Sequence, residues 1–208
     1  MTSVNNEFLE ELASAAPTPG GGAACACVGA LASSLASMVG NLTLHKKGYE
    51  AHEQEMAEAV EVLANCREVL LSLVEEDEKA FGALAACWRM PKTTKKEIAA
   101  RREAEQRALV AACEVPLQIM RICAKVIEID EFMVRDGNRN VIADAGAAAV
   151  FAKAAIQAAA LSVYGNTTSM DDLDTADEYD EQAHDLVMMF GARADKIYLT
   201  VSNGAVDL

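Results

Sequence analysis

The chain has 208 residues, enough for one ordinary domain with a real core, and residues 1–208 are read as that single domain. Only 5% of the residues are aromatic while 52% are apolar, much of it alanine, a mixture that favours closely packed helices over a sheet. The formal charge of −14 argues against nucleic acid or an anionic membrane surface as a partner, and any anionic substrate must find a local positive pocket.

Asn6 to Ala13 reads as a short amphipathic helix built on Phe8, Leu9 and Leu12. Next comes the stretch that organises the chain, Pro17 to Leu44, with sequence PTPGGGAACACVGALASSLASMVGNLTL. A glycine-rich turn feeding a helix leaves backbone N–H groups unpaired at the helix start, where they can hold an anion or an oxyanion. The plainer reading of the same glycines is a flexible connector. No strand precedes them and no Lys-Ser or Lys-Thr follows, so neither nucleotide-binding fingerprint applies. The uncharged run is long enough to span a bilayer, but it is mostly Ala, Gly, Ser, Thr and Asn. Glu7, Glu10 and Glu11 stand where a signal peptide would carry cations, so a soluble, cytoplasmic protein is expected. The buried helix is expected to end near His45-Lys46-Lys47-Gly48, where Lys46 and Lys47 suit a helix C-terminus and are also the first cations after the glycines.

From Glu50 to Arg89 the spacing predicts one long helix. Met56, Ala59, Leu63, Cys66, Leu70, Leu73, Ala80, Leu84 and Cys87 recur at alternating intervals of three and four, a coiled-coil-like seam. Asp77 falls on that seam. A carboxylate on an apolar stripe costs free energy unless it is paired, protonated or set in a cleft, so Asp77 is either a site residue or a buried structural hydrogen-bonder. Met90-Pro91 ends the helix, and a second long one is expected from Thr93 or Thr94 to Arg135, with Pro116 kinking it and freeing a carbonyl.

After Asp136-Gly137-Asn138, a second alanine-rich helix is expected over Asn140 to Val163, packed closely on the first. Its Asp144 can point inward, or simply favour the helix dipole from the first turn. Asp171 to Glu181 carries seven acids in eleven residues and reads as a solvated run or flexible turn before a last helix over Asp177 to Thr200. His45, His52 and His184 lack metal-ligand spacing, and the six cysteines form no Cys-x-x-Cys pair; buried, reduced thiols and no metal are expected.

Several motifs in order resemble one family: PTPGGG followed by GALASSLASMVGNLT, then EEDEKAF, the MPKTT turn, EVPL, and GNRNVIADAGAAA. Over about Phe8 to Met170 the chain resembles the cyclodeaminase domain of formiminotransferase-cyclodeaminase, whose free-standing bacterial relatives act as methenyltetrahydrofolate cyclohydrolases. The resemblance implies an all-α fold, an elongated bundle of five or six helices with two long antiparallel ones, forming a homodimer with folate in a cleft between subunits. It places the catalytic aspartate on Asp77 and the matching second acid on Asp144. It puts Pro19, Gly20, Gly21 and Gly22 along the cleft, with Asn138, Arg139, Asn140 and Asn166 contributing to substrate binding. The family's Ser after the glycines is here Ala23, and an Asn near the end of its fifth helix is here Ser162.

The activity implied is hydrolysis of 5,10-methenyltetrahydrofolate to 10-formyltetrahydrofolate. The alternatives are a formimidoyltetrahydrofolate cyclodeaminase releasing ammonia, and a non-catalytic folate-binding or scaffold dimer. The chain carries no formimidoyl-transferring domain, which favours the hydrolase and allows a separate formimidoyltransferase protein as partner. The tetrahydrofolate derivative is a substrate, with no resident cofactor. Its glutamate tail needs cations, for which Lys46, Lys47, Arg135, Arg139 and Lys153 are the candidates.

Overall fold

A computed structural model describes residues 6–206. Six helices follow one another: α1 (Asn6–Leu12), α2 (Gly21–Asn41), α3 (Glu53–Trp88), α4 (Lys95–Asp136), α5 (Ile142–Thr167) and α6 (Leu173–Val206). Short 3-10 turns, Glu50–His52 and Arg139–Val141, lead into α3 and α5. No strand occurs among the described residues. Most predicted boundaries stand to within about four residues, α6 runs on to Val206 rather than ending near Thr200, and two departures have a local cause. α2 stops at Asn41, because Leu42, Thr43 and Leu44 turn their N–H groups back onto the last helical carbonyls and His45 takes a positive φ of 59°. α6 begins at Leu173, so most of the acidic run is helix rather than a flexible turn. Asp172 receives the Thr175 N–H and hydroxyl, and acids early in a helix favour its dipole.

The seam on α3 packs as its spacing requires. Met56, Leu63, Cys66, Leu70, Leu73, Leu84 and Cys87 are buried. Facing them, α2 is a helix of small residues, and close approach is what those residues are for. A Cβ at Gly29 would collide with Cys123 of α4 and Leu70 of α3, and one at Gly40 with Val60 of α3. These contacts fix the register: α2 runs antiparallel to α3 and parallel to α4, while α5 returns beside α2 and α4. α6 lies on α4 and α5, tied to α5 by Lys153–Asp195 and to α4 by a forked pair from Arg193 to Glu131.

Lengths decide where a cleft forms. At about 1.5 Å per residue, α3 and α4 extend roughly 54 and 63 Å, whereas the 21 residues of α2 cover only about 30 Å. Because α2 starts opposite Asp77, the far ends of α3 and α4 run on past it. They close over a second small core of Leu84, Cys87, Leu109, Cys113, Met170 and Ala176. A notch is left between this core and the main one. Pro116 sits inside α4, and the helix continues through it. The carbonyl it deprives of a helical partner is that of Ala112, which receives the side-chain amide of Asn166 at 2.8 Å.

Both α2 and the segment Arg139–Thr167 are long and apolar enough to cross a bilayer, but 61% and 50% of their most apolar windows are buried in the bundle. The same core hides one further acid. Asp130 of α4 is 0% exposed and neither carboxyl oxygen has a hydrogen-bond partner. Burial pushes its carboxyl well above the usual range, and the Ala149 backbone offsets this only in part. Above a pH of about 4 the unfolded chain ionises this group while the folded chain keeps it protonated, so stability falls as pH rises toward the folded pKa. Asp130→Asn is expected to flatten that decline. Melting temperatures of parent and variant at pH 5 and pH 8 check it, and parallel shifts in the two proteins would exclude Asp130 as the cause.

Candidate functional site

The start of α2 has a capping problem. Gly20 is its N-cap and has no side chain to satisfy the first N–H groups. The cap comes instead from another helix: Asp77 Oδ2 accepts the Ala23 N–H at 3.0 Å. Gly22 makes this possible, since any Cβ there would collide with the Asp77 carboxyl. The anion expected at the glycine turn is therefore, at this N–H, a carboxylate of the protein itself.

Around this contact, in the notch between the two cores, lies a cleft of about 390 Å³, walled by Gly20 to Gly22, Asp77, Phe81, Leu84, Ala112, Ser162 and Asn166. The approach to α2 through Pro17 and Thr18 borders it, and the buried Pro19 follows a cis peptide bond. Asp77 is the only ionisable side chain lining it among the described residues. Burial raises its pKa, the Ala23 N–H pulls it back, and neighbouring Glu78 adds a smaller upward push. Behind Asp77, the Cys25 thiol is driven up to about 11 by burial and by the aspartate, so it stays neutral. What position 23 supplies to Asp77 is its N–H, which alanine provides as well as serine. Ser162 contributes a hydroxyl to the wall opposite.

Of the residues that the sequence singles out, Gly20, Gly21, Gly22, Asp77 and Asn166 meet in this cleft, with Pro19 in the turn leading to it. The others do not. Lys46, Lys47, Asn138, Arg139, Asn140 and Asp144 gather at the far end of α2, about 30 Å along the axis by the helical rise. There Asn138 is spent on the fold: its N–H goes to the Thr43 hydroxyl, its Nδ2 to the Leu42 carbonyl, and its Oδ1 takes the Asn140 N–H. Arg139 opens onto a separate groove with Arg135 and Lys196, and Lys153 pairs with Asp195. No group of three or more His, Cys, Asp or Glu is placed to hold a metal among the described residues. The sequence does not single out the cleft-wall residues Phe81, Leu84 and Ala112 as site residues. Phe81 lies one turn beyond Asp77 on the same helix, and that spacing is the signal that could have found it.

Comparison with known proteins follows the same lines. A family model described as formiminotransferase-cyclodeaminase matches residues 5–185. The chain is 41% identical to a methenyltetrahydrofolate cyclohydrolase of Methylorubrum extorquens, over 94% of each chain. It is 29% identical to the formimidoyltransferase-cyclodeaminase of Mus musculus over 85% of this chain but only 32% of that longer protein. Its fold superposes on the crystal structure of formiminotetrahydrofolate cyclodeaminase from Thermotoga maritima with a TM-score of 0.81 and 29% identity, covering 97% of this chain and 94% of that one. By sequence along most of its length and by fold, the chain belongs to the formiminotransferase-cyclodeaminase family.

Proposed function

We propose that this protein is a folate one-carbon enzyme that hydrolyses 5,10-methenyltetrahydrofolate to 10-formyltetrahydrofolate in the cytoplasm. The observation that carries the reading is the single half-buried carboxyl at the α2 N-terminus, in a cleft of a chain 41% identical to a named methenyltetrahydrofolate cyclohydrolase. Water attacks the cationic methenyl carbon and loses a proton to Asp77, leaving a tetrahedral carbon between N5 and N10. The C–N5 bond then breaks with its electron pair going to N5, which takes a proton from Asp77 while the hydroxyl loses its own. The balance is one water consumed and one proton released. A positioned carboxyl whose pKa is raised by burial suits both transfers, a role typically worth about 10²–10⁴-fold. The likeness to a solved cyclodeaminase favours a second reading, in which N10 attacks the formimidoyl carbon on N5 and ammonia leaves from the same tetrahedral centre. Measuring methenyl hydrolysis against ammonia release from formimidoyltetrahydrofolate separates the two.

The distant group of residues finds a place if the molecule pairs with a second copy. α2 carries no charge from Gly21 to Asn41, and α5 only Asp144 and Lys153. Their outward faces expose Leu31 (57%), Met38, Val150 and Leu161 (70%), with Leu42 just past the end of α2, on a strongly acidic protein. A two-fold axis through the middle of this face makes the pairing isologous and runs each α2 antiparallel to its mate. That operation carries Lys46, Lys47 and Asp144 of the partner subunit toward the Asp77 cleft. There the lysines would meet the substrate's glutamate and the carboxylate its cationic carbon.

Three outcomes are expected. Asp77→Asn should lower kcat/KM for methenyltetrahydrofolate at least a hundredfold, monitored as loss of the methenyl chromophore; a change within about threefold, under 1 kcal/mol of barrier, removes Asp77 from the mechanism. In the parent, the acidic limb of kcat/KM should lie above the ordinary carboxylate range, because Asp77 must ionise to accept the water's proton and burial holds that ionisation back. Leu31→Glu should convert a dimer to a monomer in light scattering; an unchanged mass assigns the interface elsewhere.

A further inference from the structure

We infer that Pro116 is a positioning residue for the cleft, and that the Asn166 amide it holds accepts a hydrogen bond from an N–H of the bound ligand. Inside α4 the proline has no N–H to give the carbonyl four residues back, so the Ala112 carbonyl is left without its helical donor. Ala112 and Asn166 both border the cleft, and Asn166 Nδ2 donates to that carbonyl at 2.8 Å. A carbonyl can only accept, so this bond also settles which way the amide faces: the NH₂ toward α4 and Oδ1 away from it. No described residue donates to Oδ1. Asn166 therefore offers a fixed acceptor at the cleft wall, on a different element from Asp77, and an acceptor so placed suits a flat heterocycle with N–H donors on its edge. The identity of that heterocycle as a reduced pterin rests on the proposed folate reaction, whereas the holding of Asn166 by Pro116 does not.

Pro116→Ala restores a helical N–H to the Ala112 carbonyl and sets it in competition with Asn166. Two measurements test the inference. In nitrogen-edited NMR spectra, the Asn166 side-chain amide, identified by its absence in Asn166→Ala, should exchange slowly in the parent and faster in Pro116→Ala. By calorimetry, Pro116→Ala should weaken binding of 5-formyltetrahydrofolate about three- to tenfold, the size of one hydrogen bond, and should have no further effect in an Asn166→Ala background. An equally protected Asn166 amide in both proteins overturns the inference. So does an equal loss of affinity in both backgrounds, which is what a merely structural proline would produce. A parent that binds no reduced folate at all sinks the reaction assigned to the cleft, and the amide exchange still decides whether Pro116 positions Asn166.

Discussion

The Asp77 carboxyl resting on the first turn of α2 is the contact on which the cleft depends, and it solves two problems at once. A helix of small residues that begins with three glycines has no side chain to cap its own N-terminus. A long helix with an acid on its apolar seam has a half-buried carboxyl to satisfy. Placing one against the other meets both needs through one N–H donor, Ala23, and one missing side chain, that of Gly22. The cost of burial is only partly offset, since desolvation outweighs the N–H contact and the carboxyl stays easier to protonate than an exposed one. That residual imbalance is what a proton-transfer group needs near neutral pH.

The space beside that contact exists because the helices are unequal. A 21-residue helix packed on partners of 36 and 42 residues must leave part of them uncovered, and the second small core fills only the far end. Nothing in the notch is loop except the short approach to α2. Its polar groups come from helix termini, from Asp77 inside α3 and from α4 where proline interrupts it, and rigid elements hold acceptors in place better than connecting segments do.

Much of this is legible in the sequence, for a physical reason. The regular three-four spacing along α3 has one exception, and a seam on a long helix is so consistently buried that a charged exception stands out: Asp77 is conspicuous from its position alone. The same test applied to α4 would find Asp130, which lies on the series Cys123, Ile127, Asp130 and Val134, but the charge-mixed first half of that helix hides its seam. Pro116 and Asn166 are each visible separately. The bond that links them runs from Asn166 to the Ala112 carbonyl, 54 positions away, and spacing carries no information on that. The acidic run after Ser169 looks like a turn because charge density says nothing about capping, which Asp172 supplies. The cysteines behave as small apolar residues, five of the six being buried.

Least legible is the separation of the candidate residues into two groups. Motifs adjacent in a family pattern carry no distance, and α2 alone holds the glycine turn and the Lys46 region apart by its length. A single chain has no means to shorten a 21-residue helix. Either the far group serves the fold alone, as Asn138 does, or a second chain must run the opposite way beside the first. The second arrangement asks for an uncharged, self-complementary face spanning both ends of α2. The face that α2 and α5 present comes nearest to this, with no charge on α2 and only Asp144 and Lys153 on α5, on a molecule whose net charge of −14 would oppose self-association almost anywhere else. Small residues that let α2 settle deep among its neighbours thus also leave its outer side free of charge, so one compositional choice governs both the core and the surface most suited to pairing.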